Sequence, residues 1–173
     1  SIRIRVPDRS VSELYTATPE CDGIASISVN GVAIEPTIEK GYAVITRTWK
    51  AGDAIDLKLP MKIQRIKASD KIAATKGQVA LRYGPLIYCV EAADQELGKV
   101  LPPQTPLKTE WKGDLLGGVT VIEGTWADGS PLTAIPYYAR DNRIEETPSG
   151  GPGQGGPRRG RRSINSSVWM KDR

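Results

Sequence analysis

The stretch Ile24-Ala25-Ser26-Ile27-Ser28-Val29-Asn30-Gly31-Val32-Ala33-Ile34 decides the fold. From Ser26 to Val29 polar and apolar residues alternate. In an extended chain this puts Ile27 and Val29 on one face and the serines on the other. Asn30-Gly31 is the pair favoured by a two-residue type I′ hairpin, whose two central positions both need a positive φ. Val32 to Ile34 is then the return strand. The result is a hairpin with one apolar face, which must pack on something.

Outward from this hairpin the same period of two recurs. Ile2, Ile4 and Val6 alternate with Arg3 and Arg5, which predicts a strand with one buried side. Residues 7–23 are polar and contain Pro7, Pro19 and Gly23, so they read as a long loop. Glu39-Lys40-Gly41 turns the chain into Tyr42-Ala43-Val44-Ile45-Thr46-Arg47-Thr48-Trp49, rich in β-branched and aromatic residues. Lys50-Ala51-Gly52-Asp53 is a turn. Ala54 to Leu59 follows, with Ile55, Leu57 and Leu59 predicted on one face and Pro60 ending the strand. A further group opens at residues 71–75. Lys76-Gly77 leads into Gln78 to Tyr83, and Gly84-Pro85 breaks the run. Leu86 to Val90 is nearly all apolar and reads as a central strand. Residues 92–114 read as a loop or crossing, and 94–100 is the best helix candidate. Val119 to Trp126 and Leu132 to Tyr138 are the last strong strands before the chain end. No stretch has a sustained 3.6-residue period. About ten short strands between turn signals predict an all-β class with little helix, a β-sandwich or jelly-roll-like fold. It divides into two small sandwiches, 1–76 and 77–173.

The 173 residues are 39% hydrophobic and 25% charged, enough apolar content for a core in one ordinary domain or two small ones. No apolar run approaches the roughly 20 residues that cross a bilayer. Ser1 to Val6 lacks the apolar stretch of a signal peptide. The net charge of +4 is local. Residues 147–173 hold six basic groups and one acid, so the first 146 carry −1. A nucleic-acid surface spreads its Lys and Arg over a folded face, and this chain does not. Residues 147–157 have eight Gly or Pro in eleven positions and cannot bury apolar surface. Ser167-Val168-Trp169-Met170 follows. The sequence therefore predicts an inserted loop over 147–163 and a closing strand at 167–171 that docks the Trp.

Histidine is absent, which excludes a His-based triad or a His-ligated metal within these residues. The two cysteines, Cys21 and Cys89, are far apart. A buried free thiol is the expected state of Cys89, with a Cys21–Cys89 disulfide as the alternative that nothing in the spacing favours. Without His, only Lys, Arg or a carboxylate could activate either thiol, so neither is expected to be a nucleophile. Paired carboxylates run glycoside hydrolysis, but Glu39, Asp53, Asp56, Asp70 and Asp128 sit at turns or exposed strand positions and read as solvated charges. The adjacent Glu145-Glu146 read the same way. Arg158, Arg159, Arg161 and Arg162 are candidates for contact with an acidic partner. No aromatic lies among them, so base stacking is unsupported. Trp49 and Trp126 end strong strands and read as core. Trp111, between Glu110 and Lys112, is the better surface aromatic. In an extended chain Tyr137 and Tyr138 point to opposite faces. Trp111, Tyr137 and Tyr138 are thus the candidates for contact with a sugar.

Several segments together carry a resemblance. They are Ile2-Arg3-Ile4-Arg5-Val6-Pro7, Val29-Asn30-Gly31, Ile38-Glu39-Lys40-Gly41-Tyr42-Ala43-Val44-Ile45, Trp49-Lys50-Ala51-Gly52-Asp53 and Leu57-Lys58-Leu59-Pro60-Met61. With Gly77-Gln78-Val79-Ala80-Leu81-Arg82-Tyr83-Gly84-Pro85-Leu86-Ile87-Tyr88, Leu115-Leu116-Gly117-Gly118-Val119 and residues 132–143, they cover most of 1–146 in order. The chain resembles the C-terminal part of glycoside hydrolase family 127, the β-L-arabinofuranosidase-like family. The resemblance implies a parent built from a catalytic (α/α)6 barrel followed by β-sandwich domains. The nucleophilic cysteine, the zinc-binding cysteines and glutamate and the acid/base glutamate belong to that barrel, and none of those motifs occurs in these residues. It therefore implies no cofactor for this chain, no catalytic role for Cys21 or Cys89, and a module that braces the barrel or narrows access to its site. It also implies strands ahead of Ser1. A periplasmic or extracellular parent is the expectation. The expected partners are the barrel and a plant-type glycan, with no nucleic acid and no membrane. A carbohydrate-binding module and an interaction domain with a basic loop are the two alternatives. The chain departs from the family pattern at residues 8–23 and 147–163, where it carries longer loops.

Overall fold

In the computed structural model residues 1–8, 12–143 and 165–173 are described. The chain divides into two units. Residues 1–76 with 82–85 form unit one, and residues 77–81 with 86–173 form unit two.

Unit one contains β1 (Ile2–Arg5), β2 (Tyr15–Thr18), β3 (Ser26–Val29), β4 (Val32–Ile34), β5 (Thr37–Glu39), β6 (Tyr42–Ile45), β7 (Ile55–Lys58) and β8 (Ile63–Ala68). Two three-stranded antiparallel sheets, ordered β1-β6-β5 and β4-β3-β7, form a small sandwich. Ile27 and Val29 from one sheet meet Ala43 and Ile45 from the other, with Ile4, Val6, Ile24, Ile34, Trp49 and Ile55 around them. The alternation read from Ser26 to Val29 is the burial actually observed. Asn30 and Gly31 have φ of 53° and 78°, the geometry a type I′ turn requires. The Asn30 side chain also ties two turns together. Its Nδ2 donates to Asp53 Oδ1 at 2.8 Å, and its Oδ1 accepts from the Ala54 amide at 2.9 Å. Asp53 in turn accepts from the Lys50 amide.

Two expectations are corrected in unit one. The loop predicted over 7–23 contains a strand, β2, paired with β8 from Tyr15↔Ala68 to Thr18↔Arg65. The apolar face predicted for residues 54–59 is buried only at its start. Ile55 joins the core, whereas Leu57 and Leu59 are exposed, because β7 is the outer strand of its sheet. Residues 71–75 hold a 3-10 turn at Ala73–Thr75.

Unit two takes β9 (Gln78–Tyr83) through residue 81, then β10 (Leu86–Glu91), β11 (Lys108–Lys112), β12 (Val119–Thr125), β13 (Pro131–Pro136), β14 (Ser166–Ser167) and β15 (Met170–Lys171). The order is β11-β12-β13-β10-β9. Val79, Ala80 and Leu81, and Tyr88, Cys89 and Val90, are all buried, so these runs are covered on both faces. The central position predicted for Leu86 to Val90 is where β10 lies. The predicted closing strand is two pieces. β14 pairs with Val90 and Glu91, and β15 with Gln78 and Val79. Met170 is buried, and Val168 packs against Cys89, Val119, Val121, Ile135 and Ala139. The loop expected over 92–114 ends in a strand, β11, and residues 94–100 form turns with no helix. The loop predicted over 147–163, with its four arginines, lies outside the described residues.

The Asn30 geometry predicts a graded response in urea unfolding of the full chain. Asn30→Ala loses two turn-linking hydrogen bonds and forces an alanine to a positive φ, and is expected to lower stability by about 2 kcal/mol. Asn30→Gly keeps the backbone and is expected to lose less.

Candidate functional site

Each candidate group depends on the strand that holds it. Trp111 stands on β11, the outer strand, whose residues alternate between two faces. Lys108, Glu110 and Lys112 share one face and meet Glu123 across the ladder. Lys108 Nζ lies 3.0 Å from Glu123 Oε2, Lys112 Nζ 3.0 Å from Glu123 Oε1, and Lys112 also contacts Glu110 at 2.5 Å. The hydrogen bond from Lys112 is the main reason the Glu110 carboxyl is held down to about 2, with Lys108 adding to it. Both lysines are raised by the same carboxylates. Trp111 occupies the other face opposite Thr120 and is 66% exposed. A Cβ on Gly118 would lie 2.6 Å from its ring carbon Cζ2. The indole therefore rests directly on the Gly118 backbone.

Tyr137 and Tyr138 do not alternate across an extended chain as expected. Pro136 ends β13, and Tyr137–Ala139 form a 3-10 turn in which both tyrosines are exposed. The Arg140 guanidinium lies 4.6 Å from the Tyr137 ring centroid and donates to its hydroxyl, so one face of that ring is covered. Trp126 is buried as expected, with its Nε1 donating to Gln95 Oε1 at 3.1 Å. Trp49 is half-buried against the core of unit one. Arg158, Arg159, Arg161 and Arg162, and the pair Glu145-Glu146, lie outside the described residues.

Both cysteines are buried and free. Cys21 Sγ donates to the Pro60 carbonyl at 3.2 Å. Burial pushes the Cys89 thiol up to about 12, with Glu91 adding to the shift. Among the described residues no three His, Cys, Asp or Glu side chains are grouped so as to hold a metal ion. Cys21 belongs to unit one and Cys89 to unit two, and no ligand set forms around either.

Two arrangements were not visible in the sequence. Glu91 is only 4% exposed at the end of β10. Its Oε1 accepts from the Asp141 amide at 2.6 Å and its Oε2 from Arg143 Nε and Nη2 at 2.9 and 2.5 Å. Arg143 spends its other bonds on Asp94. This clasp closes a separation of 52 residues, which no local pattern records. In unit one Gln64 is fully buried, donating from Nε2 to the Pro19 carbonyl at 2.7 Å and accepting at Oε1 from Arg82 Nε at 2.9 Å. It floors a cleft of about 260 Å³ also lined by Tyr15, Glu20 and Asp22.

Comparison with known proteins adds the following. Residues 1–61 match the family model described as the β-L-arabinofuranosidase, GH127 middle domain, and residues 63–148 match the glycoside hydrolase family 127 C-terminal domain. A curated relative, the non-reducing end β-L-arabinofuranosidase of Bifidobacterium longum subsp. longum, is 28% identical over 150 residues. That match covers 70% of this chain and 22% of the relative. A solved GH127 β-L-arabinofuranosidase from Geobacillus stearothermophilus T6 is similar at a TM-score of 0.68 and 30% identity, covering 93% of this chain and 27% of that one. A second solved GH127 β-arabinofuranosidase gives 0.70 and 27%, covering 94% and 25%. The chain thus spans about a quarter of the length of these relatives.

Two measurements check these sites. A depressed carboxylate contributes stability that is full above its unfolded value and is lost as pH falls through its folded one. NMR titration of Glu110 is therefore expected to give a midpoint near 2, and its share of the stability to decline from about pH 4.5 to about pH 2. Glu110→Gln removes that share. Arg143→Leu leaves a buried carboxylate with fewer partners, and is expected to cost about 3 kcal/mol in urea unfolding.

Proposed function

The chain belongs to glycoside hydrolase family 127, matching its middle and C-terminal domains, and from that premise we propose that it is a non-catalytic β module of an arabinofuranosidase-type enzyme. In this reading it braces the catalytic barrel of the parent or shapes access to the barrel's site.

One observation carries the reading. Glu91 and the two cysteines, buried groups of the kind that do acid–base or nucleophilic work, are engaged in holding the chain. Both oxygens of Glu91 accept hydrogen bonds from Asp141 and Arg143. A general acid must present a proton to the leaving oxygen, and Glu91 is only 4% exposed with both oxygens already accepting hydrogen bonds. The Cys89 thiol is fully buried and pushed up to about 12, whereas a nucleophilic cysteine needs its thiolate at neutral pH. Cys21 is buried and donates to a backbone carbonyl. The arabinofuranosidase activity of the relatives belongs to proteins about four times longer.

The purified chain is accordingly expected to release no sugar from a chromogenic β-L-arabinofuranoside. Turnover that disappears in Cys89→Ser would overturn the proposal. In the same preparation Cys89 is expected to react with iodoacetamide at pH 8 about a thousandfold more slowly than an ordinary thiol, in line with its low thiolate fraction. Unfolding in urea should restore ordinary reactivity.

A further inference from the structure

We propose that Trp111 is a stacking platform for a sugar ring, with the hydroxyls of Thr109 and Thr120 beside it. This identifies a ligand surface on the module and rests on the arabinofuranosidase-type reading only for the kind of sugar.

Gly118 has φ of 102° and no side chain, so the indole lies against bare backbone at a distance no Cβ would permit. With the indole seated against this glycine, 66% of the residue is still exposed. The strand beneath it is fixed by the Lys108–Glu110–Lys112–Glu123 lattice on the opposite face. A flat aromatic held on a rigid strand loses little side-chain freedom when something settles on it.

The surroundings select the occupant. A protein partner is anchored by an aromatic set within an apolar patch that excludes water. On its own face of the strand Trp111 has no such patch: Thr109 shares that face two residues away, Thr120 lies opposite on β12, the turn beyond carries exposed Asp114, and Leu115 and Leu116 are turned into the cluster of Cys89, Val119 and Ile135. One indole with hydroxyl-bearing neighbours on its face fits a sugar, which offers a face of C–H groups to the ring and hydroxyls to its rim. Tyr138 adds a second exposed ring at this end of the sheet. Ala139, its neighbour, packs in the same cluster as Val119, Leu115 and Leu116, which flank Gly118.

The test uses the full chain with three probes: an L-arabinofuranose oligosaccharide, a xylo-oligosaccharide and a cello-oligosaccharide. Indole N–H and backbone amide resonances are followed by NMR; the Trp111 indole is assigned by its loss in Trp111→Phe, and the Thr109 and Thr120 amides report binding in the Trp111 variants. A single stacked ring implies a Kd of about 1 mM or weaker. The expected result is that the arabinofuranose probe shifts the Trp111 resonance and leaves those of Trp49, Trp126 and Trp169 in place. Trp111→Ala is expected to weaken binding about tenfold, and Trp111→Phe to retain most of it. Binding of the xylose or glucose probe alone, lost in Trp111→Ala, would keep the platform and overturn the arabinofuranose assignment. No shift of the Trp111 resonance by any probe at 50 mM, about fifty times that Kd, would overturn the platform itself and leave the structural role of the module standing. Binding unchanged in Trp111→Ala would overturn it as well.

Discussion

A strand with one buried face cannot slip by a single residue without turning its apolar side to water. Unit one depends on that constraint. Ile27 and Val29 meet Ala43 and Ile45 only in one register, so the turns that set the register matter more than their exposure suggests. The type I′ turn at Asn30-Gly31 fixes β3 against β4, and the Asn30 amide links that turn to Asp53 and Ala54, which lead into β7 on the other side of β3. A single side chain thus holds the ends of three paired strands. Unit two meets the constraint differently. β9 and β10 are covered on both faces, so period two no longer distinguishes inside from outside there. Specific polar contacts do so instead: Tyr88 donates its hydroxyl to the Thr120 carbonyl at 2.9 Å, and Glu91 fixes the chain at 141–143.

What could be read from the sequence follows from this difference. The hairpin at Asn30-Gly31 and the apolar run at Leu86 to Val90 were legible because their signals are local. β2 was not. Tyr15-Thr16-Ala17-Thr18 has no apolar alternation and is a strand because β8 offers it a ladder. β11 was hidden by its charges, which look like loop composition until Glu123 is placed across from Lys108. Leu57 and Leu59 carried the right period but sit on an outer strand, where alternation does not guarantee cover. Tyr137 and Tyr138 escaped the extended reading because the chain leaves β13 at Pro136 in a tight turn.

The candidate site was legible in the same uneven way. The charged neighbours of Trp111 announced its exposure. Nothing in the spacing announced its bed, since Gly118 reaches the indole through the β11–β12 connection. The clasp of Glu91, Asp94 and Arg143 was invisible for a related reason: Arg143 lies 52 residues from Glu91 and 49 from Asp94, and each alone looks like an ordinary surface charge.

Exposed and buried polar groups divide the work between them. Burying an ionised carboxylate is costly unless charge and hydrogen bonds replace its water. Glu91 meets that condition by engaging both oxygens. Gln64, a neutral amide, is engaged likewise, its nitrogen donating to Pro19 and its oxygen accepting from Arg82. Groups engaged in this way hold the chain together. Contact with the outside then falls to side chains whose strand is fixed but whose own faces are open. Trp111 meets both conditions, because the salt lattice that orders β11 lies on the face the indole does not use.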